Sequence, residues 1–233
     1  MKLTSYLKKA GYDLIEGPVR NHKPLQLWLK TPHDEAELYY SDINHAFESP
    51  VELNIIEDQA LSVDTSKTDE YGFNLGVTIL QEILKSIGLG NFEITAKIKS
   101  GKKVTISYNN SVTKVIPIGE ITNYLSQADF KHPNPTLLKN ANKNYILIIT
   151  GVVMAQNLVV EIETNFKLDA SLILELNQIA DGKLEFGMSS TQKLRMVSSG
   201  NSFFPVAVKA NRLDFNKGVF KAVTLVTDNR NFF

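Results

Sequence analysis

Cysteine is missing from all 233 residues of this chain. That excludes a disulfide framework, a thiolate metal site, a cysteine nucleophile and a palmitoyl anchor together. An excess of charge is missing too, since 25 lysines and arginines face 25 aspartates and glutamates. No overall positive field exists to recruit nucleic acid, and no nucleic-acid partner is expected. Long apolar runs are scarce. The longest, residues 145–155 (YILIITGVVMA), falls well short of the ~20 residues that a helix needs to cross a bilayer. The first ten residues hold too few consecutive apolar side chains for a signal peptide.

Chemistry is equally sparse. His22, His33, His45 and His132 show no i to i+4 spacing and no His-Glu-x-x-His arrangement. They read as surface or loop histidines, with no zinc site. Gly88 and Gly90 start like a dinucleotide loop, but Glu93 stands where the third glycine belongs. They also follow an expected helix and precede a strand, the reverse of the required order, so they read as a helix stop. Ser189 and Ser190 lack the glycine that completes a nucleophile elbow. No catalytic residue, metal ligand or cofactor contact is nominated, and no enzyme activity is expected.

What the chain does contain is ordinary for a globular domain: 43% apolar and 21% charged residues. Residues 3–10 predict a short helix stopped by Gly11, and Tyr12, Leu14 and Ile15 a strand. Residues 24–29, with the only tryptophan, predict a second strand. Residues 31–49 are polar and read as a long connection. Val51, Leu53 and Ile55 alternate with Glu52 and Asn54, the period of a strand with one buried face. Residues 64–71 read as an exposed loop. A helix is expected from Asn74, with Leu75, Ile79, Ile83, Leu84 and Ile87 on one face. Phe92, Ile94, Ala96 and Ile98 then alternate with Glu93, Thr95, Lys97 and Lys99. A turn over 100–102 leads into Val104, Ile106 and Tyr108, a hairpin signal.

Helices are expected over 118–128 and 135–142, and a strand over 145–154. Residues 166–176 are the most regular stretch, with Leu168, Ala170, Leu172, Leu174 and Leu176 alternating with Asp169, Ser171 and Glu175. After a turn at Asp181-Gly182, Leu184, Phe186 and Met188 alternate again. Strands over 204–213 and 219–226 flank a turn at 216–218. The expected architecture is α+β: a single domain with a twisted, mostly antiparallel central sheet flanked by short helices. Two pairs of long alternating strands stand out, 51–63 with 92–108 and 159–176 with 183–197. Such strands ordinarily turn an apolar face to helices and a polar face to water.

Taken in order, the motifs resemble the gasdermin pore-forming domain, especially its bacterial branch, over nearly the whole chain. Tyr6-Leu7-Lys8-Lys9-Ala10-Gly11-Tyr12-Asp13-Leu14-Ile15, followed by Lys23-Pro24-Leu25-Gln26-Leu27, is similar to the family's amino-terminal pattern of leucine, glycine-tyrosine and proline-leucine-glutamine. Gly76-Val77-Thr78-Ile79-Leu80-Gln81-Glu82-Ile83-Leu84 and Val104-Thr105-Ile106-Ser107-Tyr108 resemble the next block. Asn144-Tyr145-Ile146-Leu147-Ile148-Ile149-Thr150-Gly151-Val152-Val153 looks like a strand shared with animal gasdermins. Phe204-Pro205-Val206-Ala207-Val208-Lys209-Ala210 matches the strand after the second hairpin.

The resemblance implies a protein that is cytoplasmic while inactive. After release by a caspase-like or trypsin-like protease, it assembles as a homo-oligomer and opens a large β-barrel pore in the cell membrane, killing an infected bacterium. Residues 1–226 are then the pore-forming domain. Residues 227–233 are a short inhibitory tail or the remnant of one, with Leu225, Val226, Phe232 and Phe233 as apolar anchors. Many bacterial members carry a lipidated amino-terminal cysteine, and this chain has none. The lipid-facing set implied is Val51, Leu53 and Ile55; Phe92, Ile94, Ala96 and Ile98; Leu168, Ala170, Leu172, Leu174 and Leu176; and Leu184, Phe186 and Met188. Lys8, Lys9, Lys97, Lys99, Lys102 and Lys103 are the expected contacts to phospholipid headgroups. Two other classes remain open. One is a non-membrane α+β binding or scaffold protein that uses its alternating strands only as core. The other is a hydrolase, which requires His45 or His132 to meet a carboxylate and a serine.

Overall fold

The computed structural model describes residues 7–15, 22–34, 36–58, 69–71, 103–107, 110–132, 134–156, 158–164, 167–180, 184–198 and 203–226. In chain order these form β1 (Asp13–Leu14), β2 (Leu27–Leu29), β3 (Glu37–Tyr40), a 3-10 turn (Ile43–His45), β4 (Phe47–Glu48), β5 (Ile56–Asp58) and β6 (Asp69–Tyr71). Next come β7 (Lys103–Ser107), β8 (Asn110–Val115), α1 (Ile118–Ser126), β9 (Asp129–Phe130), α2 (Pro135–Asn142) and β10 (Ile146–Gln156). The remainder is β11 (Val159–Glu163), α3 (Ala170–Ala180), β12 (Leu184–Ser190), β13 (Lys193–Ser198), β14 (Phe204–Asn216) and β15 (Val219–Leu225).

The organising strand is β10, buried along almost all of its length. A near-continuous apolar run suits a strand covered on both faces, where alternation would leave one face wet. β14 pairs with it antiparallel from Leu147–Arg212 to Ala155–Phe204. On its other side β2 takes Ile146 to Ile148, and β8 takes Gly151 to Gln156. β1 and β15 flank β14, β3 flanks β2, and β5 flanks β8, all antiparallel. A second sheet runs β12-β13-β11-β7-β6, and β4 and β9 form a small third one. The β8–β10 and β7–β11 ladders share one register, with Gln156 opposite Asn110 and Val159 opposite Ser107.

The first sheet buries both faces. On one side Leu27, Ile146, Ile148, Leu213 and Phe215 meet Ile121, Tyr124 and Leu125 of α1 and Leu137 and Ala141 of α2. On the other, Ile15, Trp28, Leu147, Ile149, Val152, Val208 and Val226 form a second cluster. Local chemistry fixes the pieces. Asn134 caps α2 by accepting from the Leu137 N–H at 3.0 Å, just ahead of Pro135. The Tyr124 hydroxyl donates to Asn44 Oδ1 at 2.9 Å and to the Phe47 carbonyl at 3.1 Å. The β14–β15 turn places Lys217 at φ 51° and Gly218 at φ 78°, the left-handed pair that a two-residue hairpin favours.

Several sequence expectations are corrected. Residues 31–49 are no plain connection, because Leu38 and Tyr40 pair with β2 and the apolar Phe47 enters the core. Residues 69–71 leave the expected loop to pair with β7. Val51 and Leu53 pack half-buried on the first core without joining a ladder, which begins only at Ile56. His22 is 3% exposed and stacks on Trp28, with ring centroids 5.0 Å apart. Trp28 supplies the apolar face that removes this histidine from the surface. The helix expected from Asn74 and the strand of Phe92, Ile94, Ala96 and Ile98 lie outside the described residues.

Candidate membrane-inserting segments

The second sheet and α3 contain most of the described residues expected to meet lipid. β11, β12 and β13 each keep the period of two: Val160, Ile162, Leu184, Phe186, Leu194 and Met196 are buried on the apolar side. The polar side carries cross-strand pairs of opposite charge, Glu161 opposite Arg195 and Glu163 opposite Lys193. Opposite charges so placed support an antiparallel pair. The ladder reaches one step further, where the Thr164 N–H donates to the Gln192 carbonyl at 2.7 Å.

Beyond that point, residues 170–176 of the strand expected over 166–176 belong to the helix α3. Asp169 starts it, accepting from the Leu172 N–H at 2.8 Å. Ala, Leu, Glu and Gln then supply strong helix formers, with β-branched side chains only at Ile173 and Ile179. The apolar residues fit both periods in part, because positions 168, 172 and 176 recur every four residues as well as every two. Leu168 and Leu176 are buried and Leu172 is half-buried, whereas Leu174 projects from the opposite side, 62% exposed, and Ala170 is exposed. The four that lie in α3 therefore share no face, and Leu168 precedes the helix.

α3 lies against β12, an edge strand of the second sheet. Asn177 makes the link. Its Nδ2 donates to the Phe186 carbonyl at 2.8 Å, and its Oδ1 accepts from the Phe186 N–H at 2.7 Å. One side-chain amide thus takes the donor and acceptor that a neighbouring strand would otherwise use. Sequence reasoning missed Asn177, since only its aspect toward a strand nine residues later gives it meaning. It also missed the register-dependent Glu161–Arg195 and Glu163–Lys193 pairs.

The other expected positions scatter. Leu184 and Phe186 are buried on one face of β12, and Met188 on that face is 44% exposed. The stretch 183–197, expected as one strand, is broken by a turn at 191–192 into the β12–β13 hairpin. Ile55 is 48% exposed just before β5. Lys8 and Lys9 are exposed on a helical turn over 7–9, which Gly11 closes at φ 80°. Lys103 opens β7 opposite Glu163. Lys97, Lys99 and Lys102 lie outside the described residues, as do Phe232 and Phe233. Leu225 ends β15 opposite Asn211, and Val226 is buried in the cluster around Trp28. Among the described residues no group of acidic side chains and histidines is placed to hold a metal.

Tyr12 ties the amino-terminal segment to the centre of the sheet. It is 5% exposed, and a Cβ added to Gly151 would stand 2.8 Å from its hydroxyl oxygen. Burial, helped by the charge of Asp58, pushes its phenol up to about 12.

A sequence model of the Bacterial Gasdermin Family matches residues 15–219. The chain belongs to that family. It is 24% identical to a gasdermin of Vitiosangium sp. over 226 residues, covering 92% of this chain and 81% of that protein. It is 19% identical over 224 residues to a gasdermin of a Desulfuromonadales bacterium, covering 94% and 84%. The solved structure of a bacterial gasdermin from Bradyrhizobium tropiciagri agrees at a TM-score of 0.58 and 16% identity, over 95% of this chain and 90% of that one. That likeness establishes the gasdermin fold: a mixed α/β single domain with a mostly antiparallel central sheet and few helices.

Proposed function

We propose that this chain is an autoinhibited pore-forming protein. Proteolysis by a caspase-like or trypsin-like enzyme releases it, copies assemble in the inner membrane, and their inserted β-hairpins line a large pore. The dying cell denies an infecting phage its host. Membership of the bacterial gasdermin family across residues 15–219 carries this reading. The paired strands of the second sheet, apolar on one side and charged on the other, support it physically.

Hydrocarbon offers no partner to a backbone amide, so inserted strands must pair along both edges. One molecule's hairpins leave two edges open, and only a ring of neighbours closes them. Insertion and assembly are therefore one event. Apolar side chains turned to lipid supply the drive, at ~25 cal/mol per Å² removed from water. Lys8, Lys9 and the lysines at 97, 99, 102 and 103 add attraction to anionic headgroups, about 1 kcal/mol each near the surface. Before release the protein rests in the cytoplasm, with residues 227–233 as the restraint and Leu225 and Val226 as the apolar footing beneath it. No cofactor and no catalytic step enters.

The test compares the intact chain with one trimmed after Val226, on dye-loaded vesicles of phosphatidylglycerol and phosphatidylethanolamine. The trimmed form is expected to release dye and to show rings by electron microscopy. If it stays monomeric and the vesicles stay sealed, the chain returns to the binding or scaffold class.

A further inference from the structure

We propose that Asn177 is a latch: its side-chain amide holds the outer edge of β12 shut and sets how fast a released chain assembles. This rests on the pore-forming reading and adds a rate-controlling contact to it. In an antiparallel pair, successive residues turn their N–H and C=O groups alternately toward the partner strand and away from it. Phe186 donates its N–H to Asn177 Oδ1, and its carbonyl accepts from Asn177 Nδ2. The backbone groups facing away from β13 are therefore those of Leu184, Phe186 and Met188. Phe186 is the middle one of the three, opposite Met196 in the β12–β13 ladder. A strand joining this edge needs that middle rung, and Asn177 occupies both halves of it. Among the described residues no second strand pairs with β12, which ends its sheet.

The residue type points the same way. Asparagine is a poor helix former, yet it stands between Leu176 and Gln178 inside α3. Leu176 and Ala180, which flank it along the helix, are buried, so apolar packing carries the amide to the strand. The half-buried side chain then makes two bonds to one residue of that strand, both of ordinary length. Inserted strands must pair along both edges, because hydrocarbon offers no other partner. Assembly therefore cannot proceed past β12 until Phe186 exchanges the amide for a backbone. Two hydrogen bonds must open first, and each holds an opening equilibrium down by roughly two- to tenfold. Together they delay exposure of the edge by a factor on the order of ten.

Asn177→Ala and Asn177→Leu separate a latch from a residue that only supports the helix. Both remove the amide, and both put a better helix former into α3. If Asn177 acted only through the helix, either change would strengthen α3 and leave dye release unchanged or slower. Leucine also nearly keeps the side-chain volume, which guards against lost packing in the alanine variant. Each chain, trimmed after Val226, is added to the phosphatidylglycerol and phosphatidylethanolamine vesicles, and initial dye release is compared at equal bound protein. Both variants are expected to release dye about tenfold faster than the parent. Hydrogen exchange on the intact chains reads the contact itself. The Phe186 amide should exchange about tenfold faster in both variants, while the Glu185 and Gly187 amides, turned toward β13, keep their protection. Dye release no faster than the parent's, or a Phe186 amide as protected as in the parent, overturns the latch. Vesicles that stay sealed with the parent overturn the pore-forming reading, and the proposal falls with it.

Discussion

Ala170 and Ser171 are neighbours, both exposed on the first turn of α3. In the soluble protein, lysine at either site lengthens a solvated side chain and adds positive charge near a helix N-terminus. That costs ~0.3–1 kcal/mol at both positions. In an inserted strand the two diverge, because successive side chains point to opposite faces. Ala170 turns to lipid, where lysine near the bilayer midplane costs ~2–4 kcal/mol per subunit. Ser171 turns to the aqueous lumen, where lysine costs little. At about 1.4 kcal/mol per tenfold, the difference is roughly 30- to 1,000-fold in the insertion equilibrium of each subunit. The assay pairs thermal melting of the intact chain with dye release by the trimmed chain. Ala170→Lys and Ser171→Lys should melt within a few degrees of each other (~2–4 °C per kcal/mol for a chain of this size). Only Ala170→Lys should lose dye release. Equal dye release by the two variants refutes the strand, since a segment that stays helical has no reason to separate adjacent positions in this way.

Two further outcomes concern the fold. Gly151→Ala drives a methyl group against the buried Tyr12 ring and should cost ~1–3 kcal/mol, as overpacking does. Tyr12→Phe in the same chain should recover part of that loss, and strictly additive melting shifts would deny the contact. The phenols of Tyr12 and Tyr124 are both raised by burial from 10.0 to about 12. The folded state therefore holds its protons where the unfolded chain releases them, and their contribution is intact below pH 10. It declines between pH 10 and 12 by up to ~1.4 kcal/mol per pH unit for each phenol. Urea midpoints at pH 9 and pH 11 should thus fall less steeply for Tyr124→Phe than for the parent, and identical slopes would show that burial does not hold the Tyr124 proton.

Strands with one consistent period were legible from sequence. β10 announced itself through a near-continuous apolar run, and β12, β14 and β15 through alternation or a turn containing glycine. α2 was legible to the residue, because Asn134 and Pro135 mark its start chemically. Residues 170–176 were misread for a definite reason. Leucine at every second position also places leucine at every fourth, and the cap supplied by Asp169, with the contact from Asn177, decides for the helix. The turn that splits 183–197 was invisible because Thr191-Gln192 carries neither glycine nor proline. Of the candidate site, the apolar face of β12 could be read directly. The charge pairs of β11 and β13 could not, since pairing across strands is a property of register and not of either segment alone.

The register shared by the β8–β10 and β7–β11 ladders makes the two sheets behave like gears fixed to one shaft. Deleting a single residue from either partner between the two ladders puts them out of phase, turning inward side chains outward in one sheet while the other keeps its register. Neither half can therefore be re-cut alone. A loop graft or shortening that leaves the molecule intact must add or remove residues in twos, or fall outside the pair altogether.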